Sequence, residues 1–217
     1  MQPGRSQEGG DENLISTPRG ELAKLRQQQA QGDAAARAVI MDALLDACGE
    51  FGYRRVTVET VCRRYGGSRG HFYRHFPSKA DCFVAAYSRE CERLENGLAP
   101  FADEPLSDAR LREALDHLAA FASAHPLRAR ALLVEVHVAG GDALRRRNEV
   151  FERLSLTLDK AGRETVSRHS APPITGEFMI NVVDQALSTA LIEDNVEEFA
   201  RAIPELTSLI CEAYGSK

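Results

Sequence analysis

From Asp33 onward the chain is written in one period. Ala36, Ile40, Ala43, Leu44, Ala47 and Phe51 recur three and four residues apart, which lays them along one stripe of an α-helix. The same spacing returns in segment after segment. No run alternates apolar and polar residues as a half-buried strand would. The pattern predicts an all-α protein of about nine helices.

Breaks in the period mark the ends of those helices. Gly52 closes the first, and Thr57 stands where it can cap a short second one, "VTVETVCRR". Gly66-Gly67 separates this from a third short helix, Ser68 to about His75. Ser78 with Asp81 three residues on has the form of a capping box, opening a helix to about Asn96. The pattern breaks from Gly97 to Pro105, and Ser107 caps a helix with Leu111, Leu115, Leu118 and Ala122 on one face. His125-Pro126 is a turn, with Pro126 suited to the first helical position. Gly140-Gly141 ends "ALLVEVHVAG", and a charged helix follows from Asp142 to about Arg168. After "SAPPITG", Thr175 is placed to cap "GEFMINVVDQALSTALIE"; Asp194-Asn195 turns into a last segment that Pro204 should restart or kink. Residues 1–32, rich in Gly, Gln, Ser and charge, read as a disordered extension in which Glu21–Gln31 could form a short helix without a packed face.

Composition narrows the function classes. The five cysteines are scattered, without a CxxC pair, so they predict buried reduced thiols rather than a disulfide framework or structural zinc. No run is long and apolar enough to span a bilayer, and the N-terminus lacks the apolar core of a secretory signal, so a cytoplasmic protein without a membrane partner is expected. No P-loop, GxSxG, HExxH or Glu-x-x-His motif is present, so neither an enzyme nor a cofactor is expected. The net charge of −5 hides an uneven distribution: Arg54 to Lys79 holds seven Lys and Arg against one acid, Glu59. A basic island on an acidic body can settle on a polyanion while the body stays soluble.

Within the island lies "YGGSRGHFYRHFPSKADCF", Tyr65 to Phe83. Two short helices joined by a glycine turn make a helix-turn-helix, whose second helix enters the major groove of double-stranded DNA. Here that helix begins at Ser68-Arg69-Gly70-His71. Ser68 caps it, Arg69 can reach guanine, Gly70 lets backbone approach DNA, and His71 can donate to base or phosphate. Tyr73 and His75 can reach phosphates, and Lys79 opens the next helix, whose free N–H groups favour an anion. Thr57 and Arg74 complete the candidate DNA-binding set. Phe72 and Phe76, four apart, are expected to dock the recognition helix on the first helix. His71 and His75 share the spacing of a metal pair, but nothing nearby in sequence completes a site, so no metal is expected.

The stretch Phe51 to Phe83 resembles the DNA-binding signature of the tetracycline-repressor (TetR) family of transcriptional regulators. Phe51, Gly52, Tyr53, Thr57, Val61, Gly66, Ser68, Gly70, Phe72, Tyr73, His75, Phe76, Ser78, Lys79 and Phe83 match its order and spacing. Tyr65 stands where a small residue is usual, Gly67 where valine packs the turn, and His71 where threonine is common. Gly67 loosens the turn unless Tyr65 fills the space. The resemblance implies a helix-turn-helix domain over residues 33–80 and a ligand-binding and dimerisation domain over 81–217. It implies a homodimer joined through the last two helices, released from a palindromic operator by a small molecule. An activator, a ligand-independent regulator and an adaptor for an acidic partner remain other readings of the same residues.

For the effector, polar and aromatic residues on the middle helices are the candidates: His117, Phe121, Glu135, His137, Asn148, Phe151, Phe178 and Asn181. The helix after Thr175 has two apolar stripes, Phe178/Val182/Thr189 and Met179/Val183/Ala186/Ala190; one should face the pocket and one the partner. Arg5, Arg19, Lys24 and Arg26 of the extension could follow DNA as a flexible arm or make no contact.

Overall fold

The computed structural model describes residues 18–102, 105–165 and 175–214. Nine α-helices occur among them: α1 Pro18–Phe51, α2 Val58–Tyr65, α3 Arg69–His75, α4 Lys79–Ala102, α5 Asp108–Ala124, α6 Pro126–Leu133, α7 Gly141–Thr165, α8 Thr175–Ile192 and α9 Val196–Ala213. No strand is found among the described residues. The chain divides into two compact units, residues 1–36 and 37–217.

In the first unit the helix begins earlier than the composition suggested. Residues 18–36 belong to α1, and the side chains from Arg26 to Ala35 are exposed. Pro18 suits a first helical position, and Glu21, Ala23, Leu25, Arg26 and the glutamines after it are strong helix formers, so local propensity alone favours helix without any packed face. Residues 1–17, including Arg5, lie outside the described residues.

The second unit has two buried clusters. One gathers Ile40, Leu44 and Leu45 of α1 with Val61, Phe72, Phe76, Phe83 and Val136. The other joins Leu115, Met179, Val183, Phe199, Ile203, Ile210 and Tyr214 around α5, α8 and α9. The partly buried Phe121 packs against both.

Most of the expected punctuation is in place, with four differences. α4 runs through Gly97 to Ala102; a Cβ at Gly97 would come within 2.8 Å of His117 Nε2 on α5, so this glycine permits a close approach rather than a stop. "ALLVEVHVAG" is not one helix: α6 ends at Leu133 and a 3-10 turn follows from Glu135 to Val138. α9 passes continuously through Pro204, which faces solvent. Thr175 is the first residue of α8 rather than its cap. All five cysteines are free and buried, as their spacing predicted.

Candidate nucleic-acid interface and effector cavity

The helix-turn-helix is built by local hydrogen bonds. Thr57 caps α2: its Oγ1 accepts the Thr60 N–H at 3.2 Å, while Thr60 Oγ1 faces the Thr57 N–H at 3.4 Å. Gly66 takes the left-handed conformation at φ 74°, which only glycine adopts without strain. Ser68 caps α3 through its Oγ and the His71 N–H at 3.2 Å.

The two unusual residues of the turn fit each other. A Cβ on Gly67 would lie 1.9 Å from Tyr65 Cε2, so the tyrosine ring occupies the space that a side chain would fill. Its hydroxyl donates to the Ser68 carbonyl at 3.0 Å. Burial and the neighbouring Cys62 thiol push that hydroxyl up to about 12.

α3 has two faces. Phe72 and Phe76 are fully buried against α1 and α4, as expected. Arg69, Gly70, Tyr73 and Arg74 point outward. Tyr73 is 46% exposed, with the Arg69 guanidinium 6.0 Å from its ring centre. A Cβ on Gly70 would meet nothing closer than Ser68 Oγ at 3.9 Å, so packing inside the protein does not require glycine there. His71 and His75 are half-buried with ring centres 4.9 Å apart, and Tyr65 continues the row. The His75 carbonyl accepts from Arg37 on α1 at 2.5 Å. Among the described residues no group of three His, Cys, Asp or Glu could hold a metal ion.

Lys79 is placed differently from what its position in the sequence suggested. Its Nζ donates to the Tyr53 and Val56 carbonyls, both at 2.8 Å, and sits 3.9 Å from the Tyr53 ring centre. Burial lowers its pKa. The ammonium thereby fastens the loop between α1 and α2 to the start of α4, and its donors are turned away from the open face of α3.

The expected effector residues are dispersed. Phe121 and Phe151 line a cavity of about 140 Å³ between α4, α5, α6, α7 and α8, whose wall is chiefly leucine. A second cavity of about 130 Å³, bounded by α5, α7, α8 and α9, shares Leu98, Leu118, Leu154, Ile180 and Val183 with the first. His117 packs under Gly97. Glu135 bonds the Tyr53 N–H at 2.7 Å. His137 is exposed on the 3-10 turn. Asn148 and Asn181 border an open groove between α7 and α8, and Phe178 is 58% exposed. The sequence reading overlooked Glu90 and Asp184, both in the cavity wall. The signal was available: Asp184 interrupts the apolar run "MINVVDQALSTALI" much as Glu135 interrupts its own.

Glu90 also connects the cavity to α1. Its Oε1 accepts Arg89 Nε at 2.9 Å, and the same guanidinium reaches the Ala38 carbonyl at 3.2 Å and bonds Asp42. Arg128 of α6 holds Asp46 at 3.2 Å and Asp42 at 3.4 Å.

A capped two-helix turn with a buried aromatic face and an exposed basic one defines a helix-turn-helix DNA-binding protein. Residues 40–86 match the model of the family described as bacterial regulatory proteins, tetR family. The chain belongs to the TetR family of transcriptional regulators. Over 76 residues it is 37% identical to the HTH-type transcriptional repressor KstR of Rhodococcus jostii, a match spanning 35% of this chain and only 36% of that repressor. An HTH-type transcriptional regulator of Mycobacterium tuberculosis is 28% identical over 193 residues, 85% of this chain and 96% of the relative. The fold is shared with FadR of Bacillus halodurans, at a TM-score of 0.70 and 15% identity, covering 81% of this chain and 94% of that one. FadR of Bacillus subtilis, solved with stearoyl-CoA, aligns at a TM-score of 0.66 and 16% identity over 81% of this chain and 97% of its own. No described helix is long and apolar enough to cross a membrane.

Proposed function

We propose that the chain is a repressor that binds a palindromic operator as a homodimer and leaves it when a small apolar molecule enters the leucine-lined cavity. The carrying observation is the division of α3, with Phe72 and Phe76 fixed inside and Arg69, Tyr73 and Arg74 free outside. Arg69 and Gly70, at the start of α3, are positioned to meet base edges; Tyr73, Arg74, His71 and Thr57 are positioned for the backbone.

A two-fold pair would set two recognition helices about 34 to 36 Å apart, one helical turn of DNA. The surface for that pair is the outer side of α8 and α9. Met179, Val183 and Ala190 are buried inward, which leaves Phe178, Val182, Ala186 and Thr189 along a groove on the outer side. The name of KstR and the acyl-CoA bound to Bacillus subtilis FadR support a repressor answering to a ligand with an aliphatic part.

The path from cavity to DNA runs through Glu90 and Arg89 to Asp42, and through Arg128 to Asp42 and Asp46. A guest that moves Glu90 moves the attachment of α1 to α4. Ligand and operator would then oppose each other through a reciprocal coupling of about 1–3 kcal/mol.

The test is selection of bound duplexes from a random pool, with the sedimentation of the complex followed in parallel. A palindrome bound by a dimer is expected. Absence of any enriched sequence would overturn the reading.

A further inference from the structure

Resting on the reading of the cavity as the effector site, we propose that its guest is an aliphatic body bearing a hydroxyl group rather than a carboxylate. Cavities of this order lined by aliphatic side chains stay dry and accept apolar guests. The wall of the 140 Å³ cavity is apolar except at Tyr87, Glu90, Cys91 and Asp184. Tyr87 and Cys91 are hydrogen-bonded to each other. The two carboxylates therefore set the polar preference of the space.

Each carboxylate is already paired in charge. Glu90, 5% exposed, receives Arg89 Nε at 2.9 Å and Arg93 Nη1 at 3.0 Å. Asp184 Oδ2 receives Arg147 Nη2 at 2.6 Å. Asp184 Oδ1, by contrast, is buried and has no hydrogen-bond partner in the protein. A buried acceptor without a donor is costly, and a guest that brings one removes the cost. Because the arginines already neutralise the charge, a neutral O–H suffices and no cation is needed. A carboxylate guest would set lone pairs against lone pairs and bring a further negative charge into an apolar space. The cavity that adjoins this one offers only Arg110 and Thr157 among aliphatic neighbours, so the rest of the guest is hydrocarbon.

Three probes of one shape and different ends test this: 1-decanol, decyl methyl ether and decanoate, each titrated into the full-length protein. Thermal shift reports binding, and fluorescence anisotropy reports release of a selected operator duplex. Decanol should bind about tenfold more tightly than the ether, the difference expected of one hydrogen bond to a charged acceptor, and decanoate should bind least. In Asp184→Leu the preference for decanol over the ether should vanish while the ether still binds. Since that change leaves Arg147 buried without its partner, Asp184→Leu/Arg147→Met is the companion variant that keeps the site foldable. Equal binding of all three probes, or preference for decanoate, would overturn the hydroxyl proposal while leaving the effector site standing. No binding by any of them would remove the cavity as effector site and the proposal with it.

Discussion

The Glu135 carboxylate accepts the Tyr53 amide N–H at 2.7 Å, joining the 3-10 turn after α6 to the first residues beyond α1. Gly52 has already turned left-handed, at φ 82°, and its own N–H goes back to Cys48. The Tyr53 N–H therefore has no helical acceptor, and Glu135 supplies one. A carboxylate at a helix C-terminus opposes the helix dipole. The Lys79 ammonium, bonded to the Tyr53 carbonyl at the same end, offsets it.

Glu135→Ala leaves that N–H unpaired and should lower the unfolding free energy by about 1–3 kcal/mol, read from urea denaturation. Glu135→Gln keeps an acceptor of the same reach and should lose less than half as much. Equal losses in the two variants would mean that the bond does not carry the effect.

Tyr65 and Gly67 should behave as a pair. Gly67→Ala drives a methyl group into the Tyr65 ring and is expected to cost about 1–3 kcal/mol. With Tyr65→Ala already present, the same substitution should cost much less, giving a coupling energy above about 0.5 kcal/mol in a double-mutant cycle. Gly67 does not have a positive φ, so the backbone itself tolerates alanine. Additive losses would show that the ring does not occupy that space.

Lys79 and Arg74 should separate in their response to salt. Arg74→Ala removes an exposed cation beside DNA and should make the slope of log affinity against log salt shallower by about 0.9. Lys79→Met should weaken DNA binding through a loosened α1–α2 loop and leave that slope unchanged. A slope change on Lys79→Met would place its ammonium on a phosphate instead.

Alkaline conditions should destabilise the fold. Burial raises Cys48, Cys82 and Cys91 from an ordinary 9.0 to about 12. In the unfolded chain these thiols ionise above about pH 9, while the folded chain keeps them protonated, so the stability they contribute is present below that pH and is lost up to about pH 12. Lys79, with its lowered pKa, acts in the opposite direction: the unfolded chain holds that proton more tightly, so deprotonation favours folding. Three thiols outweigh one amine. The melting temperature should fall steadily from pH 9 to 11, and less steeply in Cys82→Ala after allowance for its lower starting stability.

The sequence by itself determined the helical class, the helix-turn-helix and the caps at Thr57, Ser68 and Gly66, because these depend on contacts within a few residues. It also separated the buried Phe72 and Phe76 from the outward Tyr73, since helical spacing alone assigns faces. What only the tertiary structure decided lay across long separations. Lys79 has the residue type and position of a phosphate contact, and its use on the Tyr53 and Val56 carbonyls depends on how α4 meets the α1–α2 loop. Glu135 looked like a ligand group because an acid in an apolar run needs a partner; that partner was a backbone N–H 82 residues away. Gly97 read as a break until His117 of α5 was found against it. The cavity residues Glu90 and Asp184 lie on helices that meet only in the folded chain, and periodicity specifies which face of a helix is buried but not which other helix covers it.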